Sequence, residues 1–285
     1  MTASLAVPLS CAPTPCVRGG AQPRAQGQVR VTAKARDGAA VIDDLHQQGS
    51  LKALFPRSRG AALDAVLLNT GGGVTGGDRF DVAIGAGPDT HLTVTTQAAE
   101  RAYKAQPQET GRLRNRLTVQ AGARLDWLPQ ETILFDGAAV DRRLSADLAV
   151  DATLLLVEPL VFGRHAMGET LRSGRFTDRI DIRREGVPLF ADRTALSGDI
   201  AAHLARPGVA AGAGAMASVV YAAADAERHL PALRACLPAT GGASLIRDGL
   251  LFARLLAPDS FTLRKHLLPL IDLLSTTPLP RTWTI

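Results

Sequence analysis

The stretch LLNTGGGVTGGDRF, residues 67–80, has the spacing that most strongly suggests chemistry. Gly71, Gly73 and Gly76 match the G-x-G-x-x-G pattern, in which backbone N–H groups at a helix N-terminus hold a pyrophosphate. The residues after Asp78, RFDVAI, alternate polar and apolar positions and predict a strand where that pattern needs a helix. An aspartate also stands where a phosphate loop requires lysine. The stretch is therefore predicted to be a glycine-rich connection between two strands.

Other catalytic and metal-binding signatures are absent from the sequence. No G-x-S-x-G occurs, the six histidines are scattered, and no H-x-x-x-H or C-x-x-C spacing is present. Cys11 and Cys16 lack a second Cys/His pair and are interpreted as unpaired thiols of the N-terminal tail. With Cys236 the cysteine count is odd, which favours a reducing compartment.

Composition indicates a globular chain with a large core. Of 285 residues, 46% are hydrophobic, 21% are charged and only 4% are aromatic. The net charge of +5 comes mostly from dispersed arginines, which disfavours nucleic-acid binding and fits an acidic protein partner equally well. No apolar run is long enough for a membrane span and no secretory signal is recognisable, so we expect a cytoplasmic protein that does not bind membranes.

The elements that must position any site are mostly strands. Apolar residues recur at every second position in 80–84, 92–94, 117–121, 144–150 and 176–182, with Asp178 interrupting the last row. Leu154–Val157 is apolar throughout and predicts a strand buried on both faces. Helical spacing appears in 225–237 and again after Ser260, a candidate N-cap. Residues 1–27 predict a disordered leader, and 28–285 a single domain.

Several segments together resemble one known family. They are LLNTGGGVTGGDRF, TVTTQAAERAYKA (93–105), LPQETILFDGA (128–138), the segment from Glu158 to Glu169 that matches E-x-x-x-x-G-R-x-x-x-G-E, and the terminal Pro-Arg-x-Trp. In this order they resemble the urease accessory protein UreD (UreH) family, from about residue 28 to 285. The resemblance implies a mainly β fold of stacked sheets in a β-helix-like arrangement, with a small two-helix section near the C-terminus.

The resemblance also implies a non-enzymatic function. Proteins of this family act as a scaffold for urease maturation: they bind apo-urease and the helical partner UreF, which recruits the GTPase UreG, and help nickel reach the urease active site. The expected partners are therefore a UreF-like protein, a UreG-like GTPase and apo-urease. No stably bound cofactor is expected, only nickel in transit. The alternatives are a nucleotide-binding enzyme that uses the Gly71–Gly77 loop, or a β-rich protein-binding module.

Nickel in transit calls for weak, exchangeable ligands, and acids beside glycine in the family-like motifs are candidates. Asp78 and Glu169 are the first choices for lining a nickel passage. The structural alternative for Asp78 is a turn aspartate that caps its own backbone, or one paired with Arg79. Further candidates for the passage or a partner interface are Glu131, Asp136 and Glu158.

Two more candidates come from local pattern. Thr95, Thr96 and Gln97 continue a strand with polar groups on both faces, which predicts either a sheet edge or the wall of a wet cavity. Arg164 is placed to hold Glu169 by a bidentate contact, or else to face a partner from the surface.

Overall fold

The computed structural model describes residues 22–57, 60–164 and 167–284. Of the predicted leader, residues 22–27 are described, and Gln26 already begins the first strand. The predictions for Cys11 and Cys16 concern residues outside the described ranges.

Two large sheets carry the chain. The first has seven strands in the spatial order β14-β13-β11-β8-β5-β1-β2: β1 (Gln26–Arg36), β2 (Ala39–Gly49), β5 (Arg79–Ala86), β8 (Gly111–Val119), β11 (Ala139–Leu148), β13 (Arg175–Arg184) and β14 (Val187–Ser197). The second has ten strands, with eight in the order β16-β17-β15-β12-β9-β6-β4-β3: β3 (Leu51–Leu54), β4 (Leu63–Asn69), β6 (His91–Thr96), β7 (Glu100–Ala102), β9 (Arg124–Leu128), β10 (Thr132–Leu134), β12 (Thr153–Phe162), β15 (Ala215–Ala222), β16 (Gly241–Arg247) and β17 (Leu250–Ala257). The remaining two, β7 and β10, pair with each other, and β10 also pairs with β12.

The path of the chain makes these sheets into stacked coils. The chain passes back and forth between the sheets from β4 to β13, so that strands from successive coils lie side by side and parallel, as in β5–β8–β11–β13 and β4–β6–β9–β12. The mainly β, β-helix-like fold expected from the sequence is confirmed.

Alternation along the strands fills the space between the sheets. Val82, Leu117, Leu144 and Ile180 point inward from the first sheet and are buried, as their period of two predicts. The second sheet contributes Leu125 and Trp127 to the same core. The all-apolar segment predicted to be buried on both faces lies in β12, which separates this core from a second one.

That second core lies under two C-terminal helices, α2 (Ala226–Cys236) and α3 (Ser260–Leu274), which confirms the predicted two-helix section. A short helix, α1 (Ile200–Leu204), was not predicted. The predicted N-cap Ser260 is wrong by one residue. Asp259 caps α3, because its carboxylate accepts a hydrogen bond from the Thr262 N–H at 2.7 Å.

The glycine-rich loop carries the chain from the second sheet to the first, between β4 and β5. A strand comes directly after the loop, so the helix N-terminus that a pyrophosphate would need is not found beside the glycines. Its glycines serve close packing: a Cβ at Gly76 would lie 2.6 Å from the Glu109 Cβ and 2.8 Å from the Ala105 Cβ. At Gly77 the backbone φ of +87° is one that glycine adopts without strain.

Candidate functional site

A cavity of about 240 Å³ lies between the two sheets. The first sheet contributes apolar side chains, Asn115 and Arg142, and the second contributes residues of β3 and β4, the turn after β6, and β7, β9, β10 and β12. The polar lining consists of Asn69, Thr96, Gln97, Glu100, Arg101, Asn115, Gln130, Thr132, Arg142 and Glu158. Carboxylates and carboxamides thus face a space that borders the apolar core and opens toward the surface at the exposed Gln97 and Arg101.

Arg142 on β11 joins the two sheets across this space. Its Nε and Nη2 donate to the two oxygens of Asp178 on β13 at 2.9 and 2.7 Å. Its Nη1 lies 2.6 Å from Glu158 Oε2 on β12. The other oxygen of Glu158 accepts a hydrogen bond from Trp127 Nε1 at 2.8 Å. We call Arg142, Glu158, Asp178 and Trp127 the arginine cluster.

The arginine cluster is buried, and its one cation faces two anions. Burial alone would lower the pKa of Arg142, yet the neighbouring carboxylates of Asp178 and Glu158 raise it above its ordinary value, so the guanidinium stays charged. Burial raises the pKa of Glu158, and Arg142 opposes that rise. One guanidinium thus holds two carboxylates in place across the two sheets.

Glu100 is a second carboxylate in the lining with very different surroundings. Its strand, β7, pairs with β10 so that Glu100 lies directly beside Thr132. The Asn69 Nδ2 lies 3.2 Å from each Glu100 carboxylate oxygen, and it also donates to the Gly73 carbonyl at 2.8 Å. Burial raises the pKa of Glu100 to about 7, and the Asn69 hydrogen bond only partly opposes this. Near neutral pH this carboxyl exists in both protonation states.

Three of the residues predicted from sequence line the cavity: Thr96, Gln97 and Glu158. The sheet-edge alternative for the Thr95–Gln97 segment is wrong, because β6 has β4 on one side and β9 on the other. The polar groups on both faces arise instead because the sheet has a cavity on each side.

The second of these cavities, about 590 Å³, takes Thr95 in its wall. It lies on the outer face of the second sheet, beneath the C-terminal segment, and the hydroxyls of Thr95 and Thr282 are 3.2 Å apart. The terminal Pro-Arg-x-Trp motif is held there by Trp283, which is buried and donates from Nε1 to the Leu128 carbonyl at 3.0 Å. The motif therefore fastens the end of the chain to the sheet.

Asp78 lies outside the cavity lining and is 4% exposed. Its Oδ1 accepts from the Ala25 N–H at 2.7 Å and its Oδ2 from the Thr75 N–H at 2.8 Å. The surface pair with Arg79 is therefore wrong, and the carboxylate ties the glycine-rich loop to the start of β1.

Glu169, Asp136 and Arg164 come together at the surface beyond β10 and β12. Arg164 holds Glu169 by the bidentate contact that the sequence suggested, at 3.1 and 2.7 Å. The hydrogen bonds from Arg164 lower the pKa of Glu169. Asp136 accepts from the Ser173 N–H at 2.7 Å, and the Arg164 guanidinium lies 4.3 Å from the centre of the Phe135 ring. These side chains fix the loops around Glu169.

Glu131 connects the second sheet to α3. Its two oxygens accept from Arg264 at 2.6 and 3.0 Å, and the same guanidinium contacts the side-chain oxygen of Gln130. Gln130 lines the cavity, so this link couples the cavity wall to the helical layer.

Sequence reasoning missed Glu100, Arg142 and Asp178. A usable signal existed for Asp178, since a charged residue interrupts an otherwise apolar row and must be paired where it is buried. Arg142 stands next to Arg143, but only Arg142 is in phase with the apolar row of Leu144, Ala146 and Leu148. Extended by one step toward the N-terminus, that row indicates which of the two arginines points inward.

Within the parts of the chain that the structure describes, no three His, Cys, Asp or Glu side chains form a group suited to hold a metal ion. In the same parts, no helix combines the length and the apolar character required to cross a membrane.

Comparison with known proteins gives a consistent result. The family described as UreD urease accessory protein matches residues 25–284. The urease accessory protein UreD of Ruegeria pomeroyi is 57% identical over 257 residues, which cover 90% of this chain and 100% of that protein. The UreD of Roseobacter denitrificans is 51% identical over 264 residues, 93% and 96% of the two chains. The UreD of Rhizobium leguminosarum bv. viciae is 44% identical over 263 residues, 92% and 96%.

Proposed function

Since the chain belongs to the UreD family of urease accessory proteins, with a role in urease maturation, we propose that it acts as a non-catalytic scaffold through which nickel passes to apo-urease. The observation that carries this proposal is the cavity between the two sheets, which has the carboxylates of Glu100 and Glu158 in its lining. Nickel is the cargo of such a scaffold, because delivery requires that each contact release the ion again.

The chemistry of the lining suits a transient contact. Nickel(II) accepts carboxylate, carbonyl and water oxygens, and weak, exchangeable sites favour onward movement. Glu100 has no cationic partner at hydrogen-bond distance among the described residues, and it has a pKa of about 7. Its carboxylate can therefore bind a cation when deprotonated and release it on protonation. Glu158 already forms an ion pair with Arg142. It therefore contributes to the shape and the negative charge of the cavity, and its carboxylate is less available than that of Glu100 as a nickel ligand.

Asp78 and Glu169 stay as proposed contacts outside this cavity. Both carboxylates already accept hydrogen bonds, Asp78 from two backbone N–H groups and Glu169 from Arg164. A nickel ion would have to compete with those bonds, so we propose weaker roles for them than for Glu100.

The proposed partners are a UreF-like helical protein, a UreG-like GTPase and apo-urease, in the cytoplasm. The family supplies the connection with urease, and the identities of the other partners rest on the resemblance of the sequence motifs. The surface group of Asp136, Arg164 and Glu169 is a proposed interface for one of them.

The test is coexpression of the chain with the urease subunits and accessory proteins, followed by metal analysis of purified urease. We expect the chain to copurify with the UreF-like protein, and Glu100→Gln to lower the nickel content of urease several-fold. Glu185→Gln, an exposed position in the turn before β14, is the matched control and should leave nickel content unchanged.

Two results would count against the proposal separately. Failure of the folded wild-type chain to associate with the UreF-like protein or urease would overturn the scaffold. Normal nickel content with Glu100→Gln and with Glu158→Gln, both folded by their melting temperatures, would overturn the passage while leaving the scaffold in place.

A further inference from the structure

The outer face of the seven-stranded sheet carries a row of like charges. Strand register places Arg114 of β8 opposite Arg143 of β11, Arg143 opposite Arg179 of β13, and Arg179 opposite Arg193 of β14. Adjacent strands are about 4.8 Å apart, so the four side chains span about 14 Å in a straight line. We call these four residues the arginine ladder.

Such an arrangement is unfavourable in isolation, because like charges directly opposite one another in a sheet destabilise it. Aspartates in neighbouring rows compensate part of it. Asp141 lies 2.5 Å from Arg114 and 3.4 Å from Arg143, and Asp181 lies 2.5 Å from Arg193. Arg114 and Arg193, at the two ends of the ladder, therefore have closer carboxylate partners than Arg143 and Arg179 in its middle.

Arg179 is exposed, and its side chain has no hydrogen-bond or ion-pair partner among the described residues. The next row of the same face adds Arg79 opposite Arg112, both exposed and with side chains that likewise lack a partner in the described chain. Positive charge is thus left over on a sheet face where the two aspartates beside the ladder, Asp141 and Asp181, are already engaged.

We propose that the arginine ladder docks a folded, acidic protein surface that presents carboxylates in a matching row. Guanidinium groups bind carboxylates in bidentate fashion, and Arg179, in the middle of the ladder and without a hydrogen-bond or ion-pair partner among the described residues, is the expected anchor. Because the strands hold the arginines at a fixed spacing, the ladder recognises carboxylates that the partner presents at the same spacing. Asp141 and Asp181, which lie between the arginines, would repel partner carboxylates that are out of register.

Two other polyanions fit this face less well. Single-stranded nucleic acid needs aromatic platforms for base stacking, and the outward positions of β8, β11 and β13 hold none. The aspartates between the arginines would oppose a continuous row of phosphates, on nucleic acid or on a membrane. A protein surface can place its carboxylates so as to avoid them.

The inference rests on the proposed function in one respect, since the partner is sought within the urease assembly, but it does not require the nickel passage. The test variant is the full chain with Arg143→Glu and Arg179→Glu. The control variant carries Arg206→Glu and Arg228→Glu, two exposed arginines outside this sheet face, and it changes the net charge equally. Melting temperatures establish that both variants are folded. Arg179→Gln, which removes no hydrogen bond or ion pair of the described residues, serves as a milder third variant.

The measurement is the affinity of each immobilised chain for apo-urease, the UreF-like protein and the UreG-like GTPase, at low and at physiological salt. We expect one of these partners to bind the ladder variant at least about tenfold more weakly, because reversed charges now face like charges. The wild-type affinity for that partner should fall as salt rises, and the control variant should match the wild type.

Equal affinities of the wild type and the ladder variant for every partner would overturn the inference, and so would an equal loss in the control variant, which would indicate net charge alone. Tighter wild-type binding to duplex DNA or phosphatidylserine vesicles than to any of the three proteins would overturn the choice of a protein partner. If the wild type binds none of the three, the proposed function itself is wrong and the inference falls with it.

Discussion

Glu158 and Glu100 line the same cavity, yet their carboxylates have very different hydrogen-bond and charge partners. Glu158 has a guanidinium at 2.6 Å and an indole N–H at 2.8 Å, both from residues that are themselves buried. Glu100 has one carboxamide N–H at 3.2 Å, which it shares with a backbone carbonyl, and a backbone hydrogen bond from Arg101. Only β10, with Thr132, lies between Glu100 and the strand that carries Glu158.

The difference separates a structural charge from an available one. In the arginine cluster every carboxylate has a strong donor, so the group holds the two sheets together at the cost of fixing its own side chains. At Glu100 the structure leaves a carboxyl close to its titration point and open to a cation or a proton. A carboxyl that is only weakly held suits transport better than one that is fully satisfied.

Removal of the Arg142 guanidinium is the strongest test of the difference between these two carboxylates. Arg142→Met leaves Glu158 and Asp178 buried without a counter-charge, and we expect a loss of about 3–5 kcal/mol in the free energy of unfolding at neutral pH. Denaturant unfolding measures it, with Arg143→Met on the same strand as the control, expected within about 0.5 kcal/mol of wild type.

The Arg142→Met deficit should shrink as the pH falls toward 5. Burial raises the pKa of Glu158 and Arg142 opposes that rise, so without the guanidinium this folded-state pKa lies still further above that of the unfolded chain. The stability of the variant is therefore greatest at low pH and is lost as the pH rises through the folded-state pKa of Glu158. A deficit under about 1 kcal/mol, or one independent of pH, would show that the arginine cluster does not hold the sheets together.

Much of the framework around this cavity can be predicted from the sequence, because a period of two is a local signal. The apolar rows of β5, β8, β11 and β13 predicted strands at the right places, and the helical spacing after Ser260 predicted α3. The buried residues of α3 are Leu263, Leu267, Leu270, Ile271 and Leu274. The glycine-rich loop was also correctly assigned as a connection, since the alternating residues directly after it form strand β5.

The cavity itself depends on contacts that no local pattern contains. Glu100 meets its cavity neighbours because β7 pairs with β10, about thirty residues further along the chain, and Arg142 meets Glu158 across two different sheets. These contacts are set by parallel pairing between strands that lie tens of residues apart in the sequence. That pairing decides which side of each strand faces the neighbouring coil. The family motifs did include Glu158, but they gave no indication that its partner would be Arg142.

Glu100 alone should contribute a second pH dependence to the stability of the protein. Its pKa is about 7 in the folded protein against 4.5 for an ordinary glutamate. Between these values the folded protein keeps a proton that the unfolded chain has released, so stability falls as the pH rises. The total loss amounts to about 3 kcal/mol above pH 8.

Glu100→Gln removes this loss, because a carboxamide stays neutral. We expect the variant to match wild type near pH 4.5 and to be more stable by about 3 kcal/mol at pH 8.5, measured by urea unfolding across that range. The exposed Glu185→Gln should follow the wild-type curve throughout. Parallel curves for Glu100→Gln and wild type would mean that Glu100 is as well satisfied in the folded state as Glu158, and the contrast between the two would disappear.

The smallest expected effect comes from Thr132, which lies between the two carboxylates. Its hydroxyl oxygen accepts from Arg142 Nη1 at 3.2 Å, a longer contact than those that this guanidinium makes with Asp178 and Glu158. Thr132→Val keeps the shape and removes that acceptor, while Arg142 retains both carboxylates. We expect a loss of about 1 kcal/mol in the free energy of unfolding and an unchanged pH profile of the Glu100 contribution. A shift in that profile would show that the charges of the two sites are coupled through Thr132, so that the structural carboxylate and the available one titrate as a single unit.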